Sequence, residues 1–443
     1  MTTAALAQAS VHHTESLLFF ILLQLALIVV LGRVGGAVAV RIGQSRAVGE
    51  IVMGILLGPS LFGALAPDAF HYVFRSAAPE PMTILSQIGL ILLMFQIGLE
   101  FDFSHLTERR NRTAVIRIAT AGLVLPFLLG LAFGYYAAPH ISPAANRFAS
   151  ALFVATALSI TALPILGRIM MEFDITRTPL GVIVISAAAI NDVIGWLLLA
   201  VITALTLAHF SAWDFGLKLL LLAAYVAASW WLIRPLLLHL IARLRRSGDS
   251  LSGNLMGVLL AAIFLSGMAT YQIGIFAIFG GFMMGVLLHD QHDVVKAWKR
   301  RIGEFVTVFF LPIFFTYTGL RTNVGGLDSL ALWGWCALLL ALATFGKFGG
   351  CYWAARWSGL SRGESKAIGI MMNTRALMEL IVINVGYDLG VISQNVFTML
   401  VLMAIVSTVI TTPGLRVWLP QIGLGTPPRR SRVKPALDGA PPV

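Results

Sequence analysis

The sequence predicts an all-α protein that crosses a membrane many times, and three observations carry that reading. Apolar residues make up 58% of the 443-residue chain and charged residues only 12%, whereas a soluble domain carries about 25% charge to face water. The apolar residues also fall in long runs rather than in short alternating ones, and about 20 consecutive apolar residues in a helix span a hydrocarbon core. Lipid offers no partner for backbone N–H and C=O groups, so runs of this kind must be helices. The third observation, the distribution of basic residues, follows from the spans.

Taken in order, polar and charged breaks delimit thirteen apolar stretches. They cover 15–34, 46–64, 82–100, 114–138, 148–170, 178–208, 213–240, 252–270, 274–289, 302–320, 329–356, 366–387 and 393–418. The first has no Lys or Arg before it, so it lacks the basic start of a secretory signal and is kept as a span. If residues 1–14 form an extracellular segment, the loops and tail on the other side hold 25 of the 31 Lys and Arg, and the extracellular loops hold four. Basic residues collect in cytoplasmic loops, so the asymmetry predicts an outside N-terminus and a cytoplasmic C-terminus. The formal net charge of +11 is then an orientation signal beside an anionic leaflet, with no need for nucleic acid. The expected domains are the extracellular segment 1–14, a transmembrane unit over 15–420, and a disordered cytoplasmic tail over 421–443, rich in Pro and Arg.

Within the spans, Gly54/Gly58, Gly281/Gly285 and Gly346/Gly350 have the spacing that lets helices approach closely. Trp213, Trp298, Trp333, Trp357 and Trp418 lie near span ends, as interface anchors do. Cys336 and Cys351 share one span and suggest neither a disulfide nor a metal site. No glycine-rich phosphate loop follows a strand, so neither ATP-driven pumping nor any other enzymatic activity is expected, and no cofactor is called for. HDQHD at 289–293 admits a metal or pH-sensing reading, but beside Lys296 it reads first as a solvated charged turn.

Side chains that stay charged inside a membrane cost about 2.5–3.5 kcal/mol each at the bilayer centre. Four ionisable groups fall deep within spans: Asp192, Lys347, Arg375 and Glu379. Asp192, in AINDVIGW, lies about 21 Å into its span at 1.5 Å per residue, near the midplane. A carboxylate held out of water is stable once it takes a proton or a bare cation, and it cannot hold both. A site of that kind exchanges one for the other. The competing reading is a structural carboxylate neutralised by Lys347 or Arg375. Asn191 beside it cannot titrate, and serves either to position a ligand or to bond a neighbouring helix.

Two spans are interrupted near their centres. In ATALSITALPILGRIM (155–170), Thr156, Ser159, Thr161 and Pro164 break an apolar run. Proline removes a donor, and unwound backbone survives at membrane depth where it is buried or lines a cavity, with its carbonyls free to hold small cations. A simple proline kink is the alternative. In GIMMNTRALMELIVINVG (369–386), Asn373, Thr374, Arg375 and Glu379 bring polarity into mid-span. Arg375 and Glu379 stand four apart on one helix face and read as a structural or gating pair. The interrupted spans are the fifth and twelfth, an odd separation that makes them antiparallel, as crossed halves of an inverted repeat require. Lys347, about 14 Å from the end of its span, is a competing proton carrier, a counter-charge for Asp192, or a snorkelling side chain.

The stretches RAVGEIVMGILLGPSLFG (46–63), LSQIGLILLMFQIGLEFD (85–102), LSITALPILGRIM (158–170), INDVIGW (190–196) and NTRALMELIVINVG (373–386) together resemble the cation:proton antiporter-2 superfamily. Within it they are most similar to the plant CHX-type exchangers and the bacterial Kef-type membrane components. The resemblance implies thirteen helices arranged as a dimerisation scaffold and a mobile core with two crossed broken helices, elevator-like alternating access, a homodimer, and residence in the cell (inner) membrane. It implies Asp192 as the carrier of cation and proton with Asn191 beside it, Thr161 and Ser159 in the ligand region, and Lys347 as the family's basic residue. Electrogenic relatives have two adjacent aspartates where this chain has Asn191–Asp192, so electroneutral one-for-one exchange of Na⁺ or K⁺ for H⁺ is expected. Kef-type proteins carry a nucleotide-binding regulatory domain that this sequence does not contain, so that route of regulation would need a separate subunit. Two other readings stay open on residues alone: a cation-coupled symporter of an organic substrate on a similar fold, and a non-transporting sensor or channel-like subunit.

Overall fold

A computed structural model describes residues 3–44, 46–74, 80–99, 112–141, 146–175, 178–207, 212–246, 253–274, 276–375 and 377–424. Every regular element among them is helical, as the lack of backbone partners in lipid demands. The tail beyond 424 and the basic cluster Arg109–Arg110 lie outside the described residues.

The first helix, α1 (Thr3–Arg41), is longer than expected at both ends. It runs through most of the segment read as an extracellular arm and continues past Gly35–Gly36, where the sequence suggested a loop. Those glycines are instead a point of close approach: a methyl built on Gly35 would lie 2.7 Å from the carbonyl of Gly49 on α2 (Arg46–Leu57). Two short helices follow, α3 (Phe62–Leu65) at the end of the expected second span and α4 (Pro67–Phe74) in what reads as a loop by sequence. Then come α5 (Glu80–Leu99) and α6 (Arg112–Ile141).

The expected break in the fifth span is present. Asn146 caps α7 (Arg147–Ser159) by accepting from the N–H groups of Phe148 and Ala149. The chain is extended from Ile160, and α8 (Leu163–Glu172) starts with Pro164 at its second position, where a missing N–H costs nothing. The side chain of Pro164 is outside the described residues. Next are α9 (Pro179–Leu207), α10 (Ala212–Ala228), α11 (Arg234–Arg246), α12 (Gly253–Gln272) and α13 (Ala277–Leu287). Helix α14 (His292–Trp298) leads through widened turns into α15 (Leu311–Arg321). Lys347 stands in another widened turn, Phe345–Gly349, between α16 (Leu330–Thr344) and α17 (Gly350–Trp357). A capping box, with Ser361 and Glu364 each bonding the other's backbone, starts α18 (Arg362–Met372). The second break separates it from α19 (Leu377–Asp388), and α20 (Gln394–Trp418) follows.

Among the described residues, nine helices are long and apolar enough to cross a membrane, and a tenth crossing results if the bent pair His292–Gly303 and Val306–Gly326 (46°) is one span. The other three expected spans fall on shorter pieces: α7 with α8, α13, and α18 with α19.

Two bundles emerge from the packing. Helices α1, α2, α5, α12, α13 and α15 form one, and α6 to α9 with α16 to α20 form the other. Close approach through glycine builds both. Cβ atoms on Gly54 and Gly58 would collide with Thr316 and Gly319 of α15, and on Gly281 and Gly285 with the carbonyls of Ile91 and Phe95 of α5. Gly346 and Gly350 press on Pro126 and Ala121 of α6 in the same way. Large apolar side chains stay exposed along the outer helices, among them Leu18, Leu22 and Val30 of α1 and Trp231, Leu232 and Leu236 near the start of α11, as lipid-facing surfaces do. One tryptophan departs from the interface reading. Trp298 is fully buried with its ring 4.5 Å from that of Phe95, whereas Trp213 and Trp357 are among the most exposed residues.

Candidate functional site

The two breaks meet inside the second bundle. Ala162 donates its backbone N–H to the carbonyl of Thr374 at 3.0 Å, and the Thr161 hydroxyl donates to the carbonyl of Met372 at 3.1 Å. Each break thereby supplies partners that the other's unwound backbone lacks.

The C-terminal end of α7 leaves carbonyls without helical partners, and fixed cations take them. Arg375 donates Nη1 to Ala157 O at 2.9 Å and Nη2 to Leu158 O at 2.7 Å, and reaches Ala343 O of α16 at 3.3 Å. Lys347 donates Nζ to Ser159 O and, at 2.7 Å, to Gly122 O of α6. Both side chains are fully buried. Two positive groups at the negative end of a helix dipole are favourably placed. The sequence treated the carbonyls of this break as candidate cation ligands. The structure gives those of Ala157, Leu158 and Ser159 to the protein's own cations.

Helix α9 presents the opposite condition. Asn191 and Asp192 are fully buried, and neither the amide nor either carboxylate oxygen has a hydrogen-bond partner among the described residues. Lys347, the candidate partner for Asp192, spends its ammonium on carbonyls instead. Asn191 lies against the same point of α6 that Lys347 bonds: a methyl built on Gly122 would come 3.6 Å from Asn191 Nδ2 and 2.5 Å from Cys351 Sγ. One turn beyond Asp192, Gly195 packs on Ile160 of the first break, its missing Cβ only 2.8 Å from that side chain. Asp192 thus sits on the stretch of α9 held between Gly122 and the crossing. An unpaired buried carboxylate beside an unsatisfied amide is a strong ligand for a proton or a small cation.

The remaining candidates are placed as follows. Ser159 donates its hydroxyl to Thr156 O at 2.9 Å, and its carbonyl serves Lys347. Glu379 stands 3.6 Å from Arg375, the expected i,i+4 pair, and is buried with both oxygens lacking hydrogen-bond partners among the described residues. Asn373 is buried with its amide similarly unpartnered. Thr408 of α20 is a site residue that sequence reasoning missed: it accepts from Arg375 N at 3.1 Å and donates to Arg375 O, fixing the second break. The signal was present as Ser407, Thr408, Thr411 and Thr412, a polar stripe in an apolar span. In HDQHD, Asp290 pairs with Arg234 at 2.6 Å and the ring of His289 bonds Val286 O at 2.8 Å. No group of three or more His, Cys, Asp or Glu suited to a metal occurs among the described residues.

Comparison with known proteins bears on the fold and the family. The family described as "Sodium/hydrogen exchanger, transmembrane" matches residues 18–420. The chain is 38% identical over 403 residues to the Na(+)/H(+) antiporter NhaS4 of Synechocystis, covering 89% of this chain and 96% of that protein. It is 35% identical to Cation/H(+) antiporter 18 of Arabidopsis thaliana over 88% of this chain, which spans 48% of that longer protein. Among solved structures it shares the fold of the sodium proton antiporter MjNhaP1 from Methanocaldococcus jannaschii, with a TM-score of 0.64 at 16% identity, over 90% of this chain and 97% of that one. The all-helical membrane fold and the expected antiporter resemblance are borne out. The chain belongs to the sodium/hydrogen exchanger transmembrane family, and it is a transporter rather than an enzyme.

Proposed function

We propose that this protein exchanges a monovalent cation, Na⁺ or K⁺, for a proton across the cell membrane, and that Asp192 carries each in turn. The observation that supports this most is the contrast at the crossing. Two buried cations donate to backbone carbonyls, while the buried Asp192–Asn191 pair has no hydrogen-bond partner among the described residues. Lys347 and Arg375 set a positive field that stabilises a carboxylate, and a bound cation or proton satisfies its oxygens directly. Asn191 adds a neutral oxygen ligand. With Asn191 rather than a second aspartate beside Asp192, and Glu379 set against Arg375, one carboxylate carries the exchange, which is one-for-one and electroneutral.

In this reading the chain crosses the membrane thirteen times, with the two broken helices and α13 as the short spans. The N-terminus lies outside and the basic loops face the cytoplasm. The bundle bearing both breaks moves against the other, and two copies associate as a homodimer. Purified protein in proteoliposomes tests the function. Adding Na⁺ or K⁺ outside vesicles with an acidic interior should dissipate the imposed pH gradient, at a rate unaffected by a clamped membrane potential. No dissipation with Na⁺, K⁺, Li⁺ or Rb⁺ would overturn the reading. Turnover that tracks the potential would overturn electroneutrality alone.

A further inference from the structure

The two bundles leave a cleft of about 70 Å³ between them. Thr83, Ser86 and Leu90 of α5 and Tyr317 of α15 line one wall, and Ile381 and Asp388 of α19 line the other. At its rim stands Arg321, the last residue of α15, with a set of bonds that all reach the opposite bundle. Its Nη1 pairs with Asp388 Oδ1 at 2.5 Å and reaches Asn384 Oδ1 at 3.4 Å. Its guanidinium lies 5.6 Å from the ring centre of Tyr387, and its carbonyl accepts from Gln394 at the start of α20. Asn384 adds a bond to Thr318 of α15 at 3.0 Å.

Arg321 is also braced from its own side. Its Nη2 donates to the Tyr317 hydroxyl, which shares a 2.7 Å hydrogen bond with Thr83, and its guanidinium lies 4.3 Å over the Tyr317 ring. A side chain held to its own bundle by a bond and a ring contact with Tyr317, and to the other by an ion pair, is preorganised to join them. At the opposite end the bundles meet differently, through Gln44 to Val409 O at 3.2 Å and Arg416 to Gly43 O at 3.5 Å. Those bonds go from side chain to backbone, with no charge pairing.

We propose that Arg321 and Asp388 form a latch that ties the two bundles together across the rim of this cleft, and that the pair separates each time the bundles change relative position. The need for separation rests on the alternating-access reading; the latch itself does not. The pair is partly solvated, with side-chain exposures of 20% and 40%. Such a pair is modest in strength, enough to bias an equilibrium without freezing it. Losing it shifts population away from the latched arrangement toward those in which the rim has parted.

The test uses the full chain with Cys336 and Cys351 replaced by alanine and a single reporter, Ser86→Cys, in the cleft wall. Ser86 is 3% exposed behind the joined rim, so labelling by a hydrophilic thiol reagent should quicken about two- to fivefold in Arg321→Gln and in Asp388→Asn. The reversed pair Arg321→Asp with Asp388→Arg should bring back the slow rate, which loss of fold would not do. Unchanged labelling in both single variants, or a reversed pair labelled as fast as either, overturns the latch. This readout needs no ion transport, so it stands even if the antiporter reading fails. In a second arm, Arg321→Cys/Asp388→Cys bridged by a short bis-methanethiosulfonate, which forms a disulfide with each cysteine and releases sulfinate, should stop exchange, with reductant restoring it. Full exchange in the bridged protein overturns the separation step.

Discussion

The end of α7 and the middle of α9 are equally buried and close together, yet they are finished in opposite ways. At the end of α7, the three exposed-by-unwinding carbonyls bind Arg375 and Lys347, charges that never leave. On α9, Asp192 and Asn191 keep unsatisfied oxygens that folding could have paired with those same cations. Burying an unpaired polar group is costly; Glu379 also lacks hydrogen bonds but stands 3.6 Å from Arg375, whereas Asp192 has neither a hydrogen bond nor an ion pair among the described residues. The difference separates the structural charges of the crossing from the exchanging one.

The sharpest way to break this comparison is to remove the carboxylate. Asp192→Asn should leave the protein as stable as the parent, because an amide needs no counter-ion, while exchange falls at least about a hundredfold, to a rate limited by leak; flux in proteoliposomes and a thermal unfolding curve read the two sides. Arg375→Met should do the reverse. It leaves Glu379 buried without a charge partner and uncaps Ala157 and Leu158, so unfolding should become easier by about 3–5 kcal/mol. Lys347→Met uncaps Ser159 and Gly122 and should cost about 1–3 kcal/mol, yet the residual exchange should remain insensitive to membrane potential. Residual exchange that became potential-dependent would make Lys347 part of the transported charge.

Acidity sharpens the comparison further. Protons and cations compete for one carboxylate, so lowering the pH weakens apparent cation affinity and raising it strengthens that affinity. Below the titration of the site, the half-saturating cation concentration should rise about tenfold per pH unit. A slope near a hundredfold per unit would mean two protons. The smallest effect is expected of Asn191→Ala, which removes one neutral ligand and should raise half-saturation about three- to tenfold with the maximal rate little changed.

Much of this was legible in the residues, for a physical reason. Lipid forbids charge, so Asp192, Lys347, Arg375 and Glu379 stood out against an apolar background, and the i,i+4 spacing of Arg375 and Glu379 fixed their pairing in advance. Helix interruptions at 160–162 and 373–375 were visible as polar residues and a proline inside apolar runs. The identity of bonding partners was not legible. Lys347 meets Gly122 across 225 residues, and a backbone carbonyl leaves no mark in a sequence. Thr408 was missed because a threonine in an apolar helix usually bonds its own preceding turn, as this one also does to Ala404. The first span was drawn to residue 34, and the helix runs on to Arg41 because Gly35 and Gly36 are points of close contact with α2.

Proton release on cation binding tests the central claim most directly. Detergent-solubilised protein in weakly buffered solution near neutral pH should release up to one proton per chain when Na⁺ or K⁺ is added, and Asp192→Asn should release none. Cation binding without proton release in the parent, or equal release from Asp192→Asn, would contradict the assignment of both ligands to this carboxylate.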